Sequence, residues 1–154
     1  VCRAIKRRGI ALNRDWPYNQ WKVNRRPSIQ ADMNAHPFKG GEFVRIAGAG
    51  SVKADSVVYA LDNHYPVQGG FALHAPWFDD DGPHVLERPS LYRDVEAYHA
   101  LCICAHKKHD VYGRIFGGPN TWKPDWHGDG WFWVTESYIK STYVSALTIY
   151  YGWE

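Results

Sequence analysis

The stretch SLYRDVEAYHALCICAHKKHD, Ser90–Asp110, is where the fold divides. Read with a 3.6-residue period, Leu91, Val95, Tyr98 and Cys102 make one apolar face, and His106 and His109 continue it. Ser90 then serves as N-cap and Gly113 as the stop beyond Lys107, Lys108 and His109. Read with a period of two, Cys102, Cys104 and His106 share one face, and Leu101, Ile103 and Ala105 fill the other. The capping signals favour the helix, which is expected near 91–109. Either backbone brings a thiol near an imidazole, the donor set of zinc and copper sites. The spacing is C-x-C rather than C-x2-C, so a buried or bridged cysteine is the leading expectation.

The chain has 154 residues, 45% of them hydrophobic and 22% charged, which fits one soluble domain with its own core. Eight Trp, ten Tyr and six Phe against one Met favour a β-rich body. No apolar run is long enough to span a bilayer, and the absence of an initiator Met or signal-like segment reads as a mature or trimmed chain. Residues 1–46 carry ten Lys/Arg against three acids, clustered at Arg3, Lys6, Arg7, Arg8, Arg14, Arg25 and Arg26. That basic arm suits nucleic acid, an anionic surface or an acidic neighbour, a second copy of the chain included. Cys2 is expected to pair with Cys102 or Cys104 in an oxidising compartment, the Cys2–Cys102 bridge pinning the arm.

Residues 1–40 show no sustained period and are expected to be an extended arm on or between subunits. The body, 41–154, offers short strands at Phe43–Ile46, Val57–Leu61 and Phe71–Ala75, joined by Gly, Asp and Asn turns. Alternation over 131–140 and an apolar run over 142–151 predict a C-terminal hairpin with a central last strand. The expected fold is mainly β: one domain, an antiparallel jelly-roll-like sandwich with the helix near 91–109.

Three polar clusters carry candidate sites. Asp79, Asp80 and Asp81 before Gly82 offer oxygens to Ca²⁺, or make an ordinary acidic turn. Trp122, Asp125, Trp126, His127, Asp129 and Trp131, with Trp77, combine flat apolar rings with hydrogen-bonding groups, the mix that suits a sugar. Subunit contact is the competing role for the same rings. No catalytic residue and no obligatory cofactor are assigned, Ca or Zn being the metals considered. The function expected on this basis is a non-enzymatic extracellular or particle-surface protein, lectin-like, that self-assembles and binds carbohydrate. A structural subunit of a capsid or filament is the alternative.

Two segments point to an enzyme instead. DNHYPVQGG at Asp62–Gly70 and EAYHALCICAH at Glu96–His106 resemble parts of HNH endonucleases. The resemblance implies His64 as general base, His106 on a divalent metal and the basic arm on DNA phosphates. Ala97 stands where that family has Asn, and the C-x2-C is here Cys102-x-Cys104.

Overall fold

The computed structural model describes residues 2–22 and 24–151, apart from the side chains of Cys2, Gln20 and Tyr150. The chain divides into two compact units, one of 1–43 with 150–154 and one of 44–149.

In the first unit the expected extended arm is partly helical. Helix α1 spans Cys2–Arg8 and α2 spans Ile29–Ala35. Ser28 caps α2 by accepting from Ala31 N. Short 3-10 turns lie at Gln20–Lys22 and His36–Phe38. No strand forms at Gly9–Leu12.

The second unit is built on strands. These are β1 (Glu42–Arg45, which enters from the first unit), β2 (Val67–Leu73), β3 (Ala97–Ile103), β4 (Ala105–His109), β5 (Gly113–Pro119), β6 (Trp131–Thr135) and β7 (Val144–Tyr151). Helices α3 (Gly50–Asp62) and α4 (Glu136–Lys140) complete it. Two sheets result, ordered β1-β7-β2-β3 and β4-β5-β6, and the determined pairings are antiparallel. The β-rich expectation therefore holds. A jelly roll has eight strands in two Greek keys, whereas the described residues hold seven in these two orders.

The helix expected near 91–109 is replaced by a 3-10 turn at Tyr92–Asp94 followed by β3 and β4. All seven residues of β3 pair with β2, from Val67↔Ile103 to Leu73↔Ala97. Leu101 and Ile103 go into the core while Tyr98, Ala100 and Cys102 face out. Pairing across seven residues outweighs a helical period carried by four scattered apolar positions. The reverse error affects 57–61. Ala54, Val57 and Ala60 are buried at helical spacing in α3, where a strand was expected. The predicted 131–140 strand ends at Thr135, whose hydroxyl accepts from Tyr138 N and starts α4. Strand β7 is internal to its sheet, as expected, but β6 belongs to the other sheet and the two make no hairpin.

The core is aromatic. Phe71, Trp77, Phe132 and Tyr138 are fully buried with ring centroids 5.6–6.3 Å apart. The polar ends of these rings are satisfied: Trp77 Nε1 donates to the Tyr138 hydroxyl at 3.2 Å, which donates to Ala72 O. Burial pushes the Tyr138 hydroxyl well above its ordinary pKa, so it remains a neutral donor.

Candidate active site

Alternation along β3 places His99 on the same face as Leu101 and Ile103, opposite Cys102. Its cross-strand partner is Phe71 of β2. The residue that meets its ring comes from beyond β5. Gly118 lets β5 approach β3, since a Cβ there would lie 2.0 Å from Cys102 O. Two residues on, Asn120 directs its amide oxygen to His99 Nε2 at 3.2 Å.

Asn120 begins a closed loop. Its N–H donates to Gly130 O at 2.7 Å, joining the two ends. Trp126 N, Gly128 N and Gly130 N donate to Lys123 O, Asp125 O and Trp126 O. Gly130, at φ 73, packs where a Cβ would meet Pro124 O at 2.7 Å, so no side chain fits there. The Asn120 oxygen also accepts from Thr121 N at 2.8 Å, which fixes the amide's orientation.

An amide oxygen can only accept a hydrogen bond, so Nε2 of His99 carries the proton. Nδ1 then presents a lone pair. The Trp122 ring lies 5.4 Å from the imidazole, tilted at 31°. Trp122 is held in turn by stacking on Phe78 at 5.6 Å and by an edge contact with Trp126 at 5.4 Å. Trp126 stacks on Trp77 at 5.8 Å and donates from Nε1 to Trp77 O at 3.3 Å. The imidazole–amide pair is thus anchored through a chain of rings that ends in the core.

This arrangement redistributes the sequence candidates. Trp126 is 1% exposed and Trp77 is 0% exposed, so neither offers a face to a sugar. His127 is buried and stacked on Trp126, with neither ring nitrogen hydrogen-bonded. Trp131 is half-buried and stacks on Trp133, while Asp129 accepts from Trp131 N at 2.9 Å and Asp125 is exposed. Of the seven, Trp122 is the ring at the imidazole.

Asp79, Asp80 and Asp81 form a closed turn. Asp79 Oδ1 accepts from Asp81 N at 3.1 Å, Gly82 N donates to Asp79 O, and Asp80 pairs with Lys123. His106 Nε2 meets Asp62 Oδ1 at 2.8 Å, and His109 Nδ1 accepts from Val111 N. His64 lies just past α3 at φ 63. Among the described residues, no group of three or more His, Cys, Asp or Glu side chains is placed to hold a metal.

Cys102 and Cys104 are free thiols. The side chain of Cys2, the other half of the expected bridge, lies outside the described residues. Desolvation raises both described thiols above their ordinary pKa, with Cys104 adding to the shift of Cys102. A nucleophilic cysteine requires the opposite shift. Cys102 faces away from His99, and Cys104 lies past the end of β3, five residues on from His99, about 16 Å at strand rise. Neither is placed to serve His99.

No family model matches the chain. Among solved structures, xylellain, a cysteine protease from Xylella fastidiosa, aligns with a TM-score of 0.77 at 19% identity over 97% of this chain and 59% of its own. The chain has that fold. A curated protein, the uncharacterized peptidase C1-like protein L477 of Acanthamoeba polyphaga mimivirus, is 22% identical over 150 residues, 94% of this chain and 47% of that protein. The chain thus spans about half of the curated relative and under two thirds of the solved one.

These likenesses correct the functional expectation. One is with a cysteine protease and the other with a peptidase C1-like protein, which overturns the non-enzymatic, lectin-like carbohydrate binder, its structural-subunit alternative and the nuclease resemblance. His99 lies in the Ser90–Asp110 stretch, where neither period gives it a role, and Asn120 lies outside every cluster singled out in the sequence. Two signals were available: a His among inward-alternating apolar residues, and Asn120 with a Trp two residues later, directly after Gly117-Gly118-Pro119.

Proposed function

We propose that this chain carries the general base and the orienting amide of a papain-like cysteine protease. His99 is the base, Asn120 its orienter and Trp122 the ring packed against the imidazole. The observation that carries the reading is the His99 Nε2–Asn120 Oδ1 contact of 3.2 Å with Nδ1 left available. Cys-His-Asn is the constellation used by papain-like proteases, in which the third group orients the base.

The chemistry follows from the tautomer. Nδ1 takes the proton of a thiol, leaving a thiolate beside an imidazolium that Asn120 keeps in orientation. The thiolate sulfur attacks the carbonyl carbon of a peptide bond and forms a tetrahedral intermediate. Collapse of the intermediate breaks the C–N bond, and Nδ1–H gives its proton to the departing amine. Nδ1 then takes a proton from water, whose oxygen displaces the sulfur and releases the acid. Trp122 packs against the imidazole, and the part-buried His99–Asn120 bond is stronger in that less polar surrounding.

On this reading the thiol is supplied by polypeptide outside these 154 residues. The C-G-[SA]-C-[WY] signature does not occur in the chain. Cys2 stands closer to His99 in sequence than the roughly 130–150 residues usual between nucleophile and base in this class. The greater length of both relatives supports the same view.

The test is hydrolysis of a fluorogenic peptide amide by the polypeptide that contains this chain. His99→Ala should lower kcat by at least about 10²-fold, as loss of a general base does. Turnover that survives His99→Ala unchanged removes the proposal.

A further inference from the structure

The surface of the first unit combines cations with outward-facing rings, and the protease reading uses none of it. Residues 1–43 hold nine Lys/Arg against three acids. Among the described residues Lys6 pairs with Glu42, whereas Arg14, Lys22, Arg25 and Arg26 have no carboxylate partner. Tyr18 is 84% exposed and Trp21 is 82% exposed. The backbone that carries them is held by asparagine side chains. Tyr18 N donates to Asn13 Oδ1 at 3.0 Å and Trp21 N to Asn19 Oδ1 at 2.8 Å. Lys22 N and Arg25 N close the following turns on Asn19 O and Lys22 O. Tyr18 lines an open groove of about 510 Å³ together with Trp16, Lys22 and Arg25 among others, and Trp21 precedes the lining residue Lys22 in the chain. Lys22 Nζ sits 5.0 Å from the centre of the Trp16 ring, which keeps its charge at the groove wall.

We infer that this groove and the exposed ring of Trp21 outside its lining bind single-stranded nucleic acid, with bases stacking on Tyr18 and Trp21 and phosphates meeting Lys22, Arg25 and the neighbouring arginines. Free cations alone would suit any polyanion. The rings decide between polyanions, because a flat aromatic held open to water finds its partner in a base, whereas an acidic peptide leaves it unstacked. Stacking platforms set in a basic groove are the common design of sequence-tolerant single-strand binders. Proline at 17 and 27 limits the chain entropy lost on binding.

The test is fluorescence anisotropy of a labelled oligothymidylate titrated with the chain at low salt, about 50 mM, and repeated at rising salt. We expect saturable binding and quenching of tryptophan emission. Tyr18→Ala and Trp21→Ala should each weaken binding roughly 5- to 150-fold. Both rings are exposed, so both variants should keep the wild-type melting temperature. Lys22→Gln with Arg25→Gln should reduce the slope of log K against log salt by about 1.4. Absence of binding at low salt overturns the inference. So does binding that both aromatic variants leave unchanged, which would be bulk charge alone. Displacement by polyglutamate that depends on the same two rings would also overturn it and make the face a docking site for acidic polypeptide.

Discussion

Replacing Asn120 by alanine isolates the contact on which the active-site reading rests. The Asn120 oxygen makes two hydrogen bonds, to His99 Nε2 at 3.2 Å and to Thr121 N at 2.8 Å. Thr121 is exposed, so water replaces the second bond at little cost. The first is a neutral bond worth about 0.5–1.5 kcal/mol, and its loss frees the imidazole to rotate and to change tautomer. Spread over the transition state, that energy corresponds to a roughly 2- to 13-fold fall in kcat/KM for peptide-amide hydrolysis. The ring contact with Trp122 survives the change and limits the loss. Asn120→Ala should therefore sit between wild type and His99→Ala, with the fall mainly in kcat and a melting temperature close to wild type. Activity equal to wild type would show that the amide orients nothing. Activity as low as that of His99→Ala in a folded variant would show that Asn120 does more than orient.

Trp126→Ala should cost about 3–5 kcal/mol in urea unfolding, as expected for a large ring removed from a fully packed site; a carbohydrate-stacking Trp would be lost with the fold intact. Stability should also fall in acid. The Arg114 guanidinium, bound through two hydrogen bonds of 2.9 Å, holds Glu136 down to about 2 with help from Lys140. A carboxylate whose pKa is lowered by folding stabilises the fold above its unfolded value and loses that contribution as pH falls from 4.5 toward 2. Allowing for partial exposure of both partners, the loss is about 1–2 kcal/mol, and Arg114→Met should flatten the pH profile of thermal melting over that window. Cys102→Ser with Cys104→Ser should leave peptide hydrolysis within about 2-fold of wild type, since neither thiol reaches His99; a loss comparable to His99→Ala would return one of them to the mechanism.

Much of the strand content was legible because strands announce themselves locally. Phe71 and Leu73 in β2 and the apolar run of β7 were readable from period and composition. Elements that satisfied two periods were not. Leu91, Val95, Tyr98 and Cys102 fit a helix, and only the seven-residue pairing with β2 turns that segment into strands. Val57 to Leu61 looked like a strand because five consecutive residues are apolar or aromatic, while the burial of Ala54, Val57 and Ala60 shows the helical period beneath. The active-site pair was illegible for a different reason. His99 and Asn120 are 21 positions apart and meet because Gly118 allows β5 to lie against β3, a close approach that no local pattern records. Attention to thiol–imidazole neighbours in sequence favoured Cys102 and His106, which side-chain alternation and the Asp62 contact assign to other work. The tryptophans misled similarly, since Trp77 and Trp126 share a composition with sugar-binding loops but are packed in the core.

In the active-site reading Asn120 fixes His99 with Nε2 protonated and Nδ1 presented for a thiol. Long-range ¹H–¹⁵N NMR of the histidine rings measures this directly in the chain itself. Neutral His99 should carry its proton on Nε2, with a downfield Nε2–H resonance that disappears in Asn120→Ala. A proton on Nδ1, or a ring signal that Asn120→Ala does not move, would contradict it.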